Sequence, residues 1–273
     1  MPAYLDSILV AHRAASAADE RGIAETVEAA TDHLATRRAG AGSTAPRDFV
    51  AALRAGRAAR GMALISEIKR RSPSKGDLDP TLDAATVAGD YEAGGASCLS
   101  VLTDEEFFAG SRADLEAARA ACALPVLRKD FTVGPLDVCD ARLMDADAVL
   151  LIVAALGDAE LADLLSLART LDLAPLVEVH DDTELDRALA AGARLIGVNQ
   201  RDLRTFEVDR DRALRMGERM PDGVVAVAES GIRDAADVGR LTSAGYTAVL
   251  VGETLVRSPD RTSAVDGLLG ARA

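Results

Sequence analysis

The stretch that decides the fold is Ala63-Leu-Ile-Ser-Glu-Ile-Lys-Arg-Arg-Ser-Pro-Ser-Lys-Gly-Asp77. It begins as an apolar, β-branched run and ends as a basic loop that contains Ser, Pro and Gly. Because side chains alternate along a strand, Ile65, Glu67 and Lys69 lie on one face. An acid and a base then point the same way at the end of a buried strand, where isolated charges are costly. A structural ion pair would explain this one case, but the arrangement recurs along the chain.

Seven more short apolar runs follow the first at spacings of roughly 20 to 35 residues, which βαβ crossovers require. The eight predicted strands are Ala63–Ile68, Ser97–Leu102, Pro125–Leu127, Ala148–Val153, Pro175–Val179, Leu195–Val198, Val224–Val227 and Ala248–Val251. The predicted helices after them are Leu82–Ala93, Ala113–Cys122, Leu136–Met144, Ala159–Leu171, Thr183–Ala191, Arg210–Arg219, Ala235–Ala244 and Arg261–Leu269. Eight such units predict an α/β fold, a closed (β/α)₈ TIM barrel. A doubly wound open sheet is the alternative, but it normally has fewer strands, and no GxGxxG loop follows a strand here.

The N-terminal part of the chain has a different pattern. Residues 5 to 38 are predicted to be helical, because apolar residues recur at helical spacing. Ala39–Thr44 is a Gly-containing break, and Phe49–Arg60 predicts a further helix that ends at Gly61. We therefore expect a helical N-terminal extension over residues 1–47 and a catalytic barrel over residues 48–273. The extension carries no recognisable chemistry, so a lid, a barrel plug and an oligomer contact all remain open.

Composition fits a barrel and narrows the classes of partner. The chain has 273 residues, 49% hydrophobic and only 3% aromatic, so Ala, Val, Leu and Ile must build its core. Such cores suit parallel strands covered by helices. The net charge of -13 argues against nucleic acid or an anionic membrane as partner. A small anionic substrate is still possible, because a local cluster such as Lys69-Arg70-Arg71 can dominate the field in a cleft. The sequence predicts no particular protein partner.

Cysteine, histidine and apolar patterns bear on metals and location. The three cysteines are Cys98, Cys122 and Cys139, an odd number without CxxC spacing, which predicts reduced, buried thiols in a cytosolic protein. The three histidines are His12, His33 and His180, which lack metal-ligand spacing, so we expect no metal site. Residues 1–10 do not have the pattern of a signal peptide. The longest apolar run, Ala148–Leu156, is too short for a membrane span, and we expect a cytoplasmic location.

Polar residues close several of the predicted strands. In a barrel these positions converge on one mouth. They are Glu67 and Lys69 after the first strand, Lys129 after the third, Glu178 and His180 after the fifth, Asn199 and Arg201 after the sixth, and Glu229 and Ser230 after the seventh. Helix capping explains such residues singly, but not two lysines, three glutamates and an asparagine on otherwise apolar strands. We therefore predict an active site at this mouth.

The last two strands predict a phosphate site. Ser230-Gly231 and Gly252-Glu253 follow the seventh and eighth strands, where barrels commonly bind phosphate through backbone N–H groups. Glu253 would repel phosphate, so its side chain should point away while its N–H contributes. The residues alone thus predict a phosphorylated small-molecule substrate, two ammonium groups as acids or anion clamps, and carboxylates as bases. Schiff-base chemistry at a lysine is an open alternative, although lysines beside carboxylates should stay protonated and act as acids.

Seven stretches in the same order resemble the indole-3-glycerol phosphate synthase family of tryptophan biosynthesis. They are Ser66–Gly76, Leu102–Ser111, Leu127–Phe131, Leu176–His180, Gly197–Leu203, Ala228–Ile232 and Val251–Glu253. The similarity runs from about Asp48 to the last helix. It implies a carbon–carbon lyase that needs no metal and no cofactor. Its substrate would be 1-(2-carboxyphenylamino)-1-deoxyribulose 5-phosphate, which is closed, decarboxylated and dehydrated to indole-3-glycerol phosphate.

The resemblance also implies roles for single residues. Lys129 corresponds to the general acid, Glu178 to the general base of dehydration, and Lys69 to a second acid that contacts the anionic substrate. The other polar pocket positions are Glu67, Asn199, Glu229 and Ser230. The phosphate-contact positions are Ser72, Lys69, Arg201, Gly231, Gly252 and Glu253. The apolar slot for the aromatic ring is Pro73, Phe108, Phe131 and Leu150.

Two features qualify this resemblance. Gln200 follows Asn199 where a second Asn is common, and the extension before Asp48 matches the family poorly. The charged loop Arg70–Asp77 is predicted to be mobile and to close over substrate.

The competing functions are a phosphoribosyl-type isomerase barrel and a non-catalytic phosphosugar-binding barrel. The Glu67 and Lys69 pair argues against the first, and the presence of Lys129 and Glu178 argues against the second.

Overall fold

The computed structural model describes residues 4–40, 45–73, 75–203 and 205–270. Eight parallel strands form a closed barrel in which each strand pairs with its neighbours in the sequence and the first pairs with the last. The strands are β1 (Ala63–Ile68), β2 (Cys98–Leu102), β3 (Val126–Lys129), β4 (Ala148–Ile152), β5 (Ala174–Val179), β6 (Leu195–Asn199), β7 (Val225–Glu229) and β8 (Ala248–Val251). The predicted TIM-barrel fold is confirmed, and every predicted strand overlaps an observed one.

Closure of the barrel is visible in the pairing of β1. Ile65 lies opposite Cys98 of β2, and Ala63 lies opposite Ala248 of β8. All six residues of β1 are buried, as its continuous apolar run predicts for a strand covered on both faces. The core continues through the other strands and is built almost entirely of aliphatic side chains. The carboxyl ends of all eight strands therefore open on one face, as the sequence argument requires.

The helices surround this barrel. They are α1 (Tyr4–Ala18), α2 (Ile23–Ala39), α3 (Phe49–Arg60), α4 (Ala84–Gly94), α5 (Glu105–Phe108), α6 (Arg112–Ala121), α7 (Pro135–Leu143), α8 (Asp158–Thr170), α9 (Asp182–Ala190), α10 (Arg212–Gly217), α11 (Ala235–Ser243), α12 (Glu253–Val256) and α13 (Arg261–Leu269). Aspartates cap several of them; the Asp181 side chain, for example, accepts a hydrogen bond from the N–H of Glu184. Within the described ranges, no helix combines the length and the apolar character that a membrane crossing requires.

The structure adds short elements that the sequence patterns did not predict. Arg71–Ser72 and Gly76–Asp77 pair as a small hairpin after β1, and Val153–Ala155 forms a 3₁₀ turn after β4. Like α5 and α12, these elements lie in loops after barrel strands. Ser74, at the tip of the loop predicted to be mobile, lies outside the described residues.

The N-terminal extension packs against the barrel. The stretch predicted as helical over residues 5–38 is two helices, because the Asp19 side chain accepts from the N–H of Arg21 and Gly22 is extended. In α2, His33 and Arg37 contact Asp145, which follows α7. The predicted break at 39–44 lies mostly outside the described residues, and the boundary between residues 47 and 48 remains a prediction.

Asp147 joins the segment before α3 to the sheet. It precedes β4 and is only 2% exposed. Its carboxylate accepts hydrogen bonds from the N–H groups of Arg47 (2.8 Å) and Val126 (3.0 Å) and from the buried Arg119 guanidinium (3.2 Å). A buried carboxylate and its donors stabilise the fold only together, because removal of one partner leaves the others buried and unpaired.

Candidate active site

A cavity of about 660 Å³ opens at the carboxyl ends of the strands. Its size is typical of sites for small organic ligands. Of the residues assigned to the site from the sequence, His180 does not line the cavity, and all the others do. These residues are Glu67, Lys69, Ser72, Pro73, Phe108, Lys129, Phe131, Leu150, Glu178, Asn199, Arg201, Glu229, Ser230, Gly231, Gly252 and Glu253.

Lys129 is the centre of the polar floor. Its Nζ donates to Oε2 of Glu178 at 2.9 Å and to Oε2 of Glu229 at 3.0 Å. Asn199 donates from Nδ2 to the other oxygen of Glu178 at 3.1 Å. Glu178 and Glu229 are 1% and 2% exposed, so this network is shielded from solvent. Each of these four side chains lies at or next to the last residue of a different barrel strand, so the strand ends bring the network together.

A second ammonium–carboxylate pair lies at the end of β1. Lys69 donates from Nζ to Oε1 of Glu67, whose side chain is buried. Gly252 packs against this carboxylate: a Cβ at Gly252 would lie 2.5 Å from Oε1 of Glu67. The glycine after β8 is therefore needed for space beside Glu67 as well as for any close approach of a ligand.

Burial and neighbouring charges shift the pKa values of these groups in different directions. Burial opposes the charge of Lys129, but Glu178, Glu229 and Glu67 outweigh it and raise the pKa of the ammonium group. Burial also opposes the charge of Glu178, yet Lys129 and His180 hold the pKa of this carboxyl well below its usual range. Burial and the charge of Glu178 raise the pKa of Glu229. Of the two carboxylates beside Lys129, Glu178 therefore ionises at the lower pH.

The loop after β7 is held in a left-handed conformation. Ser230 and Gly231 have φ values of 67° and 74°. Gln200 donates from Nε2 to the carbonyl oxygen of Ser230 at 2.7 Å, which fixes the turn from below. A Cβ at Gly231 would lie 2.6 Å from Cγ1 of Val208, so the space and the φ both require glycine. Gln200 thus supports the loop predicted to bind phosphate.

Four cationic residues of the cavity were missed from the sequence. They are Lys75, Arg210, Arg233 and Arg257. Lys75 belongs to the basic loop after β1, and Arg233 follows the glycine of the β7 loop closely, so motif position could have found both. Arg210 gives no such signal in the sequence. It reaches the cavity because Val208 pairs with Arg201, which brings the end of the loop after β6 back to the strand ends. Glu253 lies 3.6 Å from Arg257, which partly offsets its charge.

All three lysines of the chain line this one cavity. They are Lys69, Lys75 and Lys129. The other basic side chains counted with them are arginines, which stay protonated in proteins and do not donate a proton to substrate. The chain therefore concentrates its lysine ammonium groups at the site.

Apolar residues form one wall of the cavity. The rings of Phe108 and Phe131 lie 6.2 Å apart between centroids. The N-terminal helix α1 also contributes, since Leu5 and Ile8 line the cavity and the His12 ring lies 5.3 Å from that of Phe131. Of the roles left open for the extension, this placement fits a cover over the site. The sequence left a lid as one of three open roles and did not single out Leu5 or Ile8.

One group of side chains behind this wall has the donor set of a metal site. Ligand atoms of His12, Asp104 and Asp130 lie within 4.8 Å of one another. Asp104 already accepts from His12 and from the N–H groups of Phe107 and Phe108. Asp130 accepts from Thr103, Arg128 and the N–H of Phe131. Because hydrogen bonds engage each carboxylate oxygen, we assign no metal to this group.

Comparison with known proteins gives consistent matches. The sequence profile of the family described as Indole-3-glycerol phosphate synthase matches residues 13–268. The protein of that name from Aromatoleum aromaticum is 51% identical over 83% of this chain and 86% of its own length. The one from Mycolicibacterium gilvum is 49% identical over 98% of this chain and 94% of its own length. A solved 3-hexulose-6-phosphate synthase has a TM-score of 0.62 at 18% identity, covers 76% of this chain and 98% of its own, and supports the fold alone.

Proposed function

This chain belongs to the indole-3-glycerol phosphate synthase family, and we propose from that premise how its pocket performs the reaction. The enzyme is a carbon–carbon lyase of tryptophan biosynthesis. It closes the ring of 1-(2-carboxyphenylamino)-1-deoxyribulose 5-phosphate, releases CO₂ and water, and forms indole-3-glycerol phosphate. The observation that carries the assignment of roles is Lys129, whose Nζ lies between Glu178 and Glu229 at 2.9 and 3.0 Å.

The phosphate binds at the side of the cavity where β7 and β8 end. The left-handed turn at Ser230 and Gly231 and the backbone at Gly252 and Glu253 lie there, and the two glycines have no side chain of their own beside their N–H groups. The cationic groups around this side are Lys69, Lys75, Arg201, Arg210, Arg233 and Arg257, and Ser72 adds a hydroxyl. Together they offset the charge of the phosphate despite the acidic balance of the whole chain.

The aromatic ring of the substrate lies against the apolar wall. Phe108, Phe131, Pro73 and Leu150 line that part of the cavity. A flat ring held there can reach the carbonyl carbon in only a few orientations. Holding the two reacting carbons of one molecule together in this way lowers the entropy cost of ring closure.

Lys129 is the general acid of ring closure. Its ammonium group protonates the carbonyl oxygen while the aromatic carbon attacks the carbonyl carbon. The carbon–carbon bond to the carboxylate then breaks, CO₂ leaves, and the bonding electrons restore the aromatic ring. Lys129 is neutral at the end of this step, and the former carbonyl oxygen is a hydroxyl group.

Glu178 is the general base of the dehydration that follows. While Lys129 is charged, it holds the pKa of Glu178 low, so the carboxylate is ionised but weakly basic. After Lys129 gives up its proton, this stabilisation ends and Glu178 becomes a stronger base when one is needed. Glu178 removes the proton from carbon, and Lys69 protonates the departing hydroxyl to give water. Glu178 can then return its proton to Lys129 across 2.9 Å. Lys69 takes its proton back from solvent, which supplies the one proton that loss of CO₂ from a carboxylate consumes.

The cysteines and the net charge indicate where the enzyme works and what it binds. Cys98, Cys122 and Cys139 are buried and unpaired in the structure, which fits a reducing compartment such as the cytoplasm. The net charge of -13 disfavours nucleic acid and anionic membranes as partners. We therefore place the enzyme in the cytoplasm, acting on a free phosphorylated substrate.

The test is an assay without added metal or nucleotide, in which indole absorbance follows conversion of the carboxyphenylamino-ribulose phosphate. We expect turnover by the wild type. Lys129→Met and Lys129→Arg should each lower kcat by about 10²- to 10⁴-fold, because Arg keeps the charge but cannot donate the proton. Lys75→Met is the matched control and should act mainly on KM. Near-normal kcat in Lys129→Arg would contradict the general-acid role.

A further inference from the structure

His180 lies beside the general base but does not line the cavity. Its Nε2 atom is buried and lies 3.3 Å from Oε1 of Glu178, without the alignment of a hydrogen bond. On the other side of the ring, Nδ1 lies 3.0 Å from Oε2 of Glu184 in α9. The same Glu184 oxygen accepts from the backbone N–H of His180 at 2.8 Å. The ring is thus fixed between two carboxylates.

This position gives the imidazole a positive charge near neutral pH. Burial opposes that charge, but Glu178 and Glu184 outweigh it and raise the pKa of His180 to about 9. These are the charged groups that act on the ring directly. On its far side Glu178 contacts Lys129 and Asn199, and Lys129 in turn contacts Glu229. Glu178 therefore lies between two cations, one catalytic and one outside the cavity.

The reaction removes one of those cations for part of each turnover. When Lys129 has protonated the substrate, Glu178 remains buried beside Glu229 and near Glu67, with the negative substrate phosphate in the same cavity. Such surroundings favour protonation of a carboxylate, and a protonated Glu178 cannot accept the proton of the dehydration step. His180 is the cation that remains in contact with it.

We propose that His180, as an imidazolium between Glu178 and Glu184, keeps the general base ionised after Lys129 has given up its proton. This inference rests on the roles proposed above for Lys129 and Glu178. His180 acts through Glu178 and never contacts the reacting atoms. No proton needs to leave the ring in this scheme, so the atoms of the reaction balance without it.

The proposal fixes the sign of a pH effect. Without the imidazolium, Glu178 of the intermediate takes up a proton at higher pH, and kcat begins to fall earlier as pH is lowered. His180→Gln should therefore move the acidic limb of the kcat profile to higher pH by about one unit or more. Above about pH 9, where the wild-type ring is itself neutral, the two profiles should converge.

Two further variants are compared in the same assay. Glu184→Gln removes one of the two carboxylates that hold the imidazolium, so its acidic limb should move in the same direction as that of His180→Gln, but by less. His33→Gln removes a histidine of α2 that pairs with Asp145 outside the cavity, and its profile should not change. Thermal unfolding of each variant checks that it is folded.

A second measurement does not depend on any variant. The chain has three histidines, so NMR of the protein with ¹⁵N-labelled histidine gives three ring titrations. One ring should stay protonated to about pH 9, and that signal should be absent from His180→Gln.

The proposal is wrong if the acidic limb of His180→Gln does not move, or if kcat falls by one factor at every pH. It is also wrong if the His180 ring titrates below pH 7. Failure of the proposed function would look different, because the wild type itself would then not turn over the substrate.

Discussion

Gly197 of β6 leaves open the space that the carboxylate of Glu229 occupies. A Cβ at Gly197 would lie 2.0 Å from Oε1 of Glu229 and 3.1 Å from its Cδ. This strand glycine is thus a part of the active site, although it offers no polar group. The position of the carboxylate next to Lys129 depends on the absence of a side chain one strand away.

Gly197→Ala should displace Glu229 from Lys129 and lower kcat, with a cost in stability of about 1–3 kcal/mol from overpacking. The measurements are kcat in the indole assay and the urea midpoint. Gly89→Ala in α4 is the matched control, since a Cβ there meets nothing within 4 Å. A fully active Gly197→Ala enzyme would show that Glu229 need not lie at this position.

Arg210→Ala tests the phosphate end of the cavity. Loss of one charge-assisted hydrogen bond of about 1.5–3 kcal/mol should raise KM by about 10- to 100-fold, with little change in kcat. Competition by inorganic phosphate should weaken in parallel. Arg215→Ala removes an exposed arginine that pairs with Asp209 and should leave both values unchanged. An unchanged KM in Arg210→Ala would place the phosphate elsewhere.

Ile8→Asp tests whether α1 covers the site. Ile8 is 2% exposed and lines the cavity, so a carboxylate there should either move the helix away or repel the anionic substrate. We expect kcat/KM to fall by at least about tenfold, which corresponds to 1.4 kcal/mol. Val10→Asp lies on the same helix but at a position 71% exposed, and should be silent. Equal rates for the two variants would remove α1 from the catalytic unit.

Asp147→Ala tests stability away from the site. The change leaves the buried Arg119 without its carboxylate, and such a loss costs about 3–5 kcal/mol. The free energy of unfolding in urea should fall by that amount, while kcat per folded molecule is retained. Asp182→Ala, which breaks an exposed pair with Arg219, should cost less than about 1 kcal/mol.

The sequence predicted the residues at strand ends well, because a closed parallel barrel brings those positions together whatever the loops do. Lys129, Glu178 and Asn199 belong to this class. Leu5, Ile8 and Arg210 were missed, because each reaches the cavity through the packing of a helix or the return of a loop. No local pattern encodes such a return. Glu67 and Lys69 were predicted as a pair. Their dependence on Gly252 was not, because it arises from a contact between the two ends of the barrel sequence that only the structure shows.

The confinement of Lys69, Lys75 and Lys129 to one cavity has a practical consequence. An amine-directed reagent can modify the terminal α-amino group and three lysines, and all three lysines line the substrate cavity. Succinimidyl dyes or aldehyde resins would therefore react inside the substrate cavity of this enzyme, whereas they label surface positions on most others. Coupling through an added tag is the safer choice, because the three cysteines are buried. For the same reason, mass spectrometry of three modified positions suffices to report whether the centre is occupied.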